Sequence, residues 1–277
     1  MQLTIPDTSP MGLKQCRDGL FMYNKHDTLI GKSLEAYGEF SGMEADLFRQ
    51  IVKPGMVAFD IGANIGVQTV GLAKAVGAQG QVVAFEPQRI LHQMLCGNLA
   101  LNGLTNVMAL MAALGSKVGS IAVPPVDYAK DGDFGGVALS PDSAGDAKSE
   151  VVPLLTIDSF NFPRCDFMKI DVEGMELDVL QGAAQTLARC KPALYIDNDL
   201  ESQSLPIISF LFKQDYRLYW HLPTLFNPNN FAGNTENIFP DLASINLLCI
   251  HSSVPATMTG FVEITRENAA QYVGALG

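Results

Sequence analysis

The chain has 277 residues, of which 48% are hydrophobic and 17% are charged. This composition provides enough apolar material for a buried core and excludes an intrinsically disordered chain. The formal net charge is −11 at pH 7. Because an acidic surface repels nucleic-acid phosphates and anionic lipids, we expect neither nucleic acid nor a membrane as a partner.

The cysteines and the first residues indicate the compartment. Five cysteines lie far apart without a Cys-x-x-Cys pair, which is typical of reduced thiols and not of a disulfide framework or a zinc site. Residues 1–10 lack the pattern of a signal peptide, and no apolar run reaches the roughly 18–20 residues that span a bilayer. We therefore expect a cytoplasmic protein without membrane insertion, and the sequence leaves a homo-oligomer open.

Residues 1–55 predict a hairpin and a helix that pack on a larger core. Apolar residues at 19–23 and 28–30 flank a polar turn and predict the hairpin. Ser41 and Glu44 have the spacing of a capping box at the start of a helix. For Glu44 this spacing favours simple helix capping.

Residues 56–277 predict a single α/β domain. Strand patterns at 56–59, 81–85 and 106–112 alternate with helix patterns, which is typical of a doubly wound parallel sheet. Further strand patterns follow at 167–170, 193–196, 216–220 and 245–250. A helix pattern between Leu177 and Ala188 separates the first two of these.

A loop at 124–149 interrupts this alternation. It is rich in Pro, Gly, Asp and Ser and shows no period. Loops of this length inside a compact domain are typically lids or disordered segments, and a passive surface excursion is the alternative. We expect the segment Phe134-Gly135-Gly136 to fold over a site.

Four of the predicted strands end in an acidic residue: Asp60, Glu86, Asp171 and Asp197. Ligands of open parallel sheets bind beyond the carboxyl ends of the strands. A single acid at a strand end is common, but four at one edge, with a glycine loop beside the first, predict a binding site.

The glycine loop DIGANIG at 60–66 indicates the kind of ligand. Glu86 follows at the spacing of an acid that binds both ribose hydroxyls, as in sites for NAD or for S-adenosylmethionine. Asn64 replaces the middle glycine of a dinucleotide fingerprint. Asp60 would oppose a pyrophosphate and attract the ammonium and sulfonium of S-adenosylmethionine. The loop therefore favours S-adenosylmethionine, while a nicotinamide-dinucleotide oxidoreductase and a catalytically silent donor-binding module stay as alternatives.

An ordered series of motifs, DIGANIG, VVAFEP, LNGLTNV and FMKIDVEGMELDVLQGA, resembles the FkbM-type family of S-adenosylmethionine-dependent methyltransferases. The resemblance covers residues 17–265, and the stretch 169–183 is its most specific part. It implies a Rossmann-like class I fold, with a mostly parallel sheet of seven strands whose last strand is inserted antiparallel. It also implies transfer of a methyl group to a hydroxyl oxygen, often on a sugar or secondary metabolite.

By position, the resemblance also implies residues that hold S-adenosylmethionine. The methionine part would lie against the glycine loop, the ribose against the acid of the second strand, and the adenine after the third strand, while a segment near residue 40 folds over the donor. The implied residues are Tyr37, Glu39, Ser41, Asp60, Gly62, Asn64, Gly66, Gln68, Glu86 and Ala113.

The reaction requires a group that removes the proton of the acceptor hydroxyl. Asp171 is the first candidate, with Glu173 beside it and His221 in a later loop. Glu173 is equally well interpreted as an acid that complements a helix dipole, and a lone histidine is more often structural. Asn-rich residues at 224–236 suit a small-molecule or glycan acceptor, although the same composition suits an ordinary polar loop.

A divalent cation is a further alternative. Asp171, Asp197 and Asn198 stand where catechol-type O-methyltransferases hold Mg²⁺, and three oxygen ligands suit that ion. The FkbM-type family is not defined by such a site, and Asp197-Asn198 is also typical of a loop cap. The sequence therefore leaves Mg²⁺ open as a cofactor, and we assign no residue as a metal ligand.

Overall fold

The computed structural model describes residues 8–139, 148–240 and 242–269. The described part begins with an antiparallel hairpin of β1 (Met11–Cys16) and β2 (Gly19–Asn24). The predicted pairing of 19–23 with 28–30 is therefore wrong. Residues 19–23 belong to the second strand of the hairpin, and they pair with the preceding strand β1. Gly19 follows the turn with φ +149°, a conformation that glycine adopts without the Cβ penalty of other residues.

Residues 28–30 lead into helix α1 (Ile30–Tyr37). The Leu29 amide donates to Asp27 Oδ1 at 2.9 Å, and the Lys32 amide donates to the Asp27 carbonyl oxygen at 3.0 Å. Asp27 thereby satisfies amides at the start of the helix that have no partner within it. The periodic apolar residues at 28–30 thus belong to a helix start and not to a strand.

Helix α2 (Gly42–Ile51) packs on one face of the central sheet. The Phe48 ring lies 5.2 Å from the Phe167 ring and 4.8 Å from the Tyr195 ring, in edge-to-face geometry. Aromatic pairs in this geometry stabilise a contact beyond the area that they bury. The contact holds the beginning of α2 above the carboxyl ends of the neighbouring strands.

The capping box predicted at the start of α2 is wrong. Ser41 occupies the N-cap position with φ +47° and makes no side-chain capping hydrogen bond. Glu44 is buried and accepts a hydrogen bond from Asn246 Nδ2 at 3.1 Å. The side chain that the spacing assigned to a helix end is therefore engaged by the central sheet.

The remaining strands form a central sheet and a smaller one. Their bounds are β3 (Val57–Ile61), β4 (Gln81–Phe85), β5 (Val107–Leu110), β6 (Ala113–Leu114), β7 (Gly119–Val123), β8 (Glu150–Leu155), β9 (Phe167–Ile170), β10 (Ala193–Asp197), β11 (Tyr216–His221), β12 (Asn246–His251) and β13 (Val262–Ile264). The central sheet has the order β13-β11-β12-β10-β9-β3-β4-β5, and the smaller one has the order β6-β8-β7.

Seven strands of the central sheet have the predicted topology. Strands β5, β4, β3, β9 and β10 pair in parallel, and β12 is inserted antiparallel between β10 and β11. The doubly wound, mostly parallel sheet predicted from the sequence is confirmed. The structure adds an eighth strand, β13, which pairs antiparallel with the edge strand β11. Its three residues are too few to show a period of two in the sequence.

Helices cover both faces of this sheet, as all-buried parallel strands require. They are α3 (Val67–Val76), α4 (Arg89–Leu101), α5 (Glu176–Gly182), α6 (Ala184–Cys190) and α7 (Glu201–Lys213). The single helix predicted between Leu177 and Ala188 is in fact two, because the backbone leaves helical geometry at Ala183. A Cβ at Gly182 would lie 2.0 Å from the Gly115 carbonyl oxygen, so the break coincides with a close backbone approach.

The N-terminal hairpin docks on α4. The Met22 amide donates to Asn98 Oδ1 at 2.7 Å, and Asn98 Nδ2 donates to the Met22 carbonyl oxygen at 3.1 Å.

Of the loop predicted at 124–149, residues 140–147 lie outside the described residues. Within the described ranges, none of the helices has both the length and the hydrophobicity needed to cross a bilayer.

Candidate functional site

A cavity opens at the carboxyl ends of β3, β4 and β9, where ligands of open α/β sheets bind. Its other walls come from the start of α2 and from the loop after β7. Among the described residues that line it, five are carboxylates and one is an ammonium group: Glu44, Glu86, Asp133, Asp171 and Glu173, with Lys169. The cavity is therefore strongly acidic.

The glycine loop forms the floor of the cavity. Gly62 has φ +80°, and a Cβ at this position would lie 1.7 Å from the Asp171 carbonyl oxygen. Asn64 also has a positive φ, of 50°, and its side-chain oxygen accepts a hydrogen bond from the Ile65 amide at 2.7 Å. Because β3 and β9 approach so closely here, a ligand meets backbone instead of side chains.

Glu86 ends β4 and lines the same cavity. One carboxylate oxygen accepts from the Asn64 amide and the other from the Gln88 amide, each at 2.8 Å. Burial raises the pKa of Glu86 to about 7, although these two amides favour its charged form. Each oxygen retains a second lone pair, so the carboxylate can accept hydrogen bonds from two adjacent hydroxyls.

Gln68, in the first turn of α3, has an unused hydrogen-bond donor. It lines the cavity and is 8% exposed, and within the described chain its Nε2 has no hydrogen-bond partner. A buried polar group without a partner costs free energy that a ligand oxygen can recover. This position fits the carboxylate of an amino-acid ligand, and Ala113, placed by sequence beside the adenine, also lines the cavity.

The structure does not bring Asp60 or Gly66 to the cavity surface. Asp60 is fully buried, accepts from Thr69 Oγ1 at 2.6 Å and lies 3.5 Å from Lys169 Nζ. A Cβ at Gly66 would meet Leu95. The interpretation that the Asp60 carboxylate contacts a ligand directly therefore needs correction, because this carboxylate is buried and forms an ion pair with Lys169.

Lys169 links the floor of the cavity to its rim. Its Nζ lies 3.1 Å from Asp171 and donates to the Gly62 carbonyl oxygen at 3.3 Å. Burial opposes the charge of Lys169, but the carboxylates of Asp171 and Asp60 outweigh burial and hold its pKa above the ordinary value. The ammonium group thus stays charged and acts as an ion-pair partner, not as a nucleophile.

Two of the three predicted catalytic residues lie in the cavity wall. Asp171 and Glu173 both line it. Burial, followed by the charge of Asp171, raises the pKa of Glu173 to about 7. Glu173 also has φ +52°, a strained conformation that is concentrated at functional sites.

His221, the third candidate, is not among the cavity-lining residues. Its Nδ1 lies 2.7 Å from the Tyr195 hydroxyl, and burial lowers its pKa. The Tyr195 side chain is also close to Glu44, which raises the pKa of Tyr195 and does line the cavity. The structure thus connects His221 to the cavity through one hydroxyl group.

Tyr37, Glu39 and Ser41 also lie outside the cavity lining. The Tyr37 hydroxyl donates to the Glu236 carbonyl oxygen at 3.0 Å, and Glu39 accepts from Asn227 Nδ2 at 2.8 Å. These side chains join the N-terminal segment to the Asn-rich loop. From the segment near residue 40, it is instead Leu29, Ile30, Phe40 and Glu44 that line the cavity.

Glu44 is a cavity-lining residue that its sequence pattern did not reveal. Its spacing from Ser41 matched a capping box, and that local pattern concealed its contact with residues about 200 positions later. No local signal separates the two roles, because only the packing of α2 on the sheet brings Glu44 to the cavity.

The three residues considered for a divalent cation lie at the carboxyl ends of the neighbouring strands β9 and β10. Asn198 Nδ2 donates to Ser204 Oγ at 2.7 Å, and Asp197 and Asn198 are not among the cavity-lining residues. Burial, followed by the charge of Asp171, raises the pKa of Asp197, so these two carboxylates interact with each other. In the described ranges, no group of three or more His, Cys, Asp and Glu side chains could hold a metal ion.

The loop after β7 covers one side of the cavity. Gly135, Gly136, Val137 and Leu139 line it, while the Phe134 ring is buried among the residues of the N-terminal segment. Gln88 Nε2 donates to the Phe134 carbonyl oxygen at 2.7 Å. The Tyr128 hydroxyl donates to Gln88 Oε1 at 2.9 Å. One side chain at the cavity therefore holds this loop at two points.

Comparison with known proteins gives the family. The model of the methyltransferase FkbM domain matches residues 60–218. The methyltransferase sdnD of Sordaria araneosa is 31% identical over 153 residues, which are 44% of this chain and 58% of that protein.

Two solved structures are among those similar to this chain. The FkbM methyltransferase of Methylobacillus flagellatus is 19% identical, with a TM-score of 0.47. The match covers 74% of this chain and 50% of that protein. Trm5b of Pyrococcus abyssi is 13% identical, with a TM-score of 0.50. The match covers 89% of this chain and 57% of that protein. The match with this chain thus spans between 50% and 58% of the length of each of these three proteins. The fold is that of class I S-adenosylmethionine-dependent methyltransferases, and by its family-model match the chain belongs to the FkbM methyltransferase family.

Proposed function

We propose that the chain transfers a methyl group from S-adenosylmethionine to a hydroxyl of a small acceptor, such as a sugar or a secondary metabolite. The observation that carries this proposal is the charge of the cavity, which has five carboxylates and one ammonium group among its lining residues. Such a cavity attracts a sulfonium and an ammonium group and repels a pyrophosphate.

The donor fits the polar groups that the cavity leaves open. Glu86 suits the two ribose hydroxyls, and the unpartnered Nε2 of Gln68 suits the carboxylate of the methionine part. Ala113 and Leu114 offer an apolar wall for the adenine. When bound, S-adenosylmethionine supplies a methyl group activated by positive sulfur.

The residues of the chain then have three tasks. The glycine loop and Gln68 orient the donor, because alignment of the reacting atoms contributes much of such a rate. The loop held by Gln88 excludes water from one side. A carboxylate of the cavity accepts the proton of the acceptor hydroxyl, and Asp171, Glu173 and Glu44 are the candidates within the lining.

Two other functions are compatible with parts of this site. A nicotinamide-dinucleotide oxidoreductase would also use Glu86, but its pyrophosphate would face the acidic cavity described above. A catalytically silent module would bind the donor and show no transfer. The first is disfavoured by charge, and the second differs only in turnover.

Calorimetric titration of the protein with S-adenosylhomocysteine and with NADH tests the donor site. We expect heat with the first compound only. Glu86→Ala should weaken binding by about tenfold or more, because it removes acceptors for both ribose hydroxyls. The control is Glu35→Gln, since Glu35 is exposed on α1. Binding of NADH alone would refute the proposal.

Incubation with tritiated S-adenosylmethionine and a panel of sugars, sugar glycosides and polyketide alcohols tests transfer. The proposal expects acid-stable tritium in at least one alcohol. Binding of S-adenosylhomocysteine without transfer to any panel member would support the silent module instead.

A further inference from the structure

Glu44 places a carboxylate in the cavity wall at the start of α2. It is 7% exposed, and its Oε1 accepts from Asn246 Nδ2 at 3.1 Å. The neighbouring side chains of Ser41 and Tyr195 lower the pKa of this carboxylate. A buried carboxylate that is held in one orientation and borders a ligand cavity has the geometry of a proton acceptor.

A path of hydrogen-bonding groups leads from Glu44 away from the cavity. Tyr195 is near enough to Glu44 for each group to shift the pKa of the other, and its hydroxyl lies 2.7 Å from His221 Nδ1. With its proton on Nδ1, a neutral His221 donates to the Tyr195 oxygen, and the Tyr195 hydroxyl donates to Glu44. His221 is only half buried and packs near Phe261, so the path ends towards the surface.

The other carboxylates of the cavity are less suited to this task. Asp171 is already engaged in an ion pair with Lys169, at 3.1 Å. Glu86 accepts from two backbone amides, where the ribose is expected. Glu173 has no hydrogen-bonded path of this kind among the described residues. It lies on the loop after β9, with φ +52°.

We propose that Glu44 is the catalytic residue that accepts the proton of the acceptor hydroxyl, with Tyr195 and His221 as positioning residues. This assignment rests on the proposed methyl transfer. The acceptor oxygen forms a bond to the methyl carbon while the carbon–sulfur bond breaks and leaves its electron pair on sulfur. The hydroxyl proton passes to the Glu44 carboxylate, so the products are a methyl ether, a neutral thioether and a protonated Glu44.

The protonation of Glu44 depends on groups from each element that packs against it. Burial raises its pKa to about 7. The facing charged groups are Lys169 and Asp171 at the end of β9, of which Lys169 favours the carboxylate and Asp171 the neutral acid. Hydrogen bonds from Tyr195 on β10 and Ser41 before α2 favour the carboxylate. A group of this pKa can accept a proton and release it near neutral pH.

The first experiment needs no acceptor. The protein is labelled with ¹³C at the glutamate side-chain carboxyls and titrated by NMR in complex with S-adenosylhomocysteine. The resonance that is missing in Glu44→Gln should titrate near pH 7, and Tyr195→Phe should raise its midpoint because a hydrogen bond to the charged form is lost. A midpoint near the ordinary glutamate value of about 4.3 would overturn the proposal.

The second experiment measures transfer to the acceptor found in the panel. Glu44→Gln should lower kcat by about 100-fold or more without changing the affinity for S-adenosylhomocysteine, and it should abolish the rise of kcat with pH. Glu44→Asp should restore part of the rate. Tyr195→Phe should shift the pH profile upward, which a purely structural role would not do. The control is again Glu35→Gln.

The outcomes separate this inference from the function on which it rests. If the unaltered protein methylates an acceptor and Glu44→Gln does so equally fast, the role of Glu44 is wrong and the methyltransferase function stands. If Glu44→Gln loses affinity for S-adenosylhomocysteine in proportion to its rate, Glu44 is a donor-binding residue instead. If the unaltered protein transfers methyl to no acceptor, both assignments fail, whatever the pKa of Glu44.

Discussion

At Gly62 a single backbone position joins the floor of the cavity to its rim. Its φ of +80° and the adjacent Asp171 carbonyl oxygen leave no room for a side chain. The glycine therefore allows β3 and β9 to approach closely where a ligand meets the sheet.

Gly62→Ala should lower the free energy of unfolding by about 2 kcal/mol more than Gly55→Ala. Both glycines have similar φ values, +80° and +84°, but a Cβ at Gly55 has no neighbour within 4 Å among the described residues. The comparison therefore isolates the steric contact from the conformational cost. Urea unfolding measures both values, and equal losses would contradict the close approach.

Glu44 also predicts a pH dependence of stability. The folded protein holds the Glu44 proton up to about pH 7, whereas an unfolded glutamate releases it near about pH 4.3. Between these values the folded state binds more protons, so this group makes stability fall as pH rises, by at most about 4 kcal/mol. Glu44→Gln should therefore gain stability relative to the unaltered protein as pH increases from 5 to 8.

Urea unfolding of the two proteins across this pH range measures that difference, in which other titrating groups such as His221 cancel. Glu35→Gln, at an exposed position, should show no such change. A Glu44→Gln difference that is constant with pH would show that Glu44 titrates normally.

At the scale of elements, the loop after β7 depends on one clamp. Gln88, at the start of α4, bonds the Phe134 carbonyl oxygen and the Tyr128 hydroxyl. The clamp links the position of this loop to Glu86, two residues earlier, where the ribose is expected. We propose that the loop acts as a lid, although its residues 140–147 lie outside the described part.

Gln88→Ala should loosen this loop without unfolding the protein. Loss of the two hydrogen bonds leaves the Phe134 carbonyl without its partner, so amides at 128–136 should exchange about tenfold faster or more. Hydrogen–deuterium exchange with mass spectrometry measures this effect. Gln50→Ala, at an exposed position on α2, is the control. Unchanged exchange at 128–136 would show that the clamp does not hold the lid.

At the scale of the whole molecule, charge selects the partners. The chain carries a net charge of −11, and its cavity is acidic as well. Both features oppose binding of a polyanion. The acidic cavity thus favours a neutral or cationic acceptor.

We therefore expect no saturable binding of single-stranded or duplex RNA. Fluorescence anisotropy with labelled RNA at low salt is the most permissive measurement, since low salt strengthens binding to phosphates. A basic RNA-binding domain of similar size serves as the positive control. Saturable binding that weakens with salt would contradict the expectation and reopen nucleic acid as an acceptor.

The sheet, the glycine loop and the acid at the end of β4 could all be predicted from local sequence patterns. Strand and helix periods are local, and the rule that parallel strands place their carboxyl ends at one edge brings Glu86 and Asp171 together without further information. The same local reasoning failed at the hairpin, where residues 28–30 had the composition of a strand but begin a helix.

Which charged side chains face the cavity could not be predicted from local patterns and is seen only in the folded chain. Asp60 is turned to Lys169, His221 reaches the cavity only through Tyr195, and Glu44 bonds Asn246, about 200 residues away. Such pairings depend on how helices pack across the sheet and not on spacing along the chain. A local pattern fixes the element that carries a side chain, whereas packing between distant elements decides what that side chain contacts.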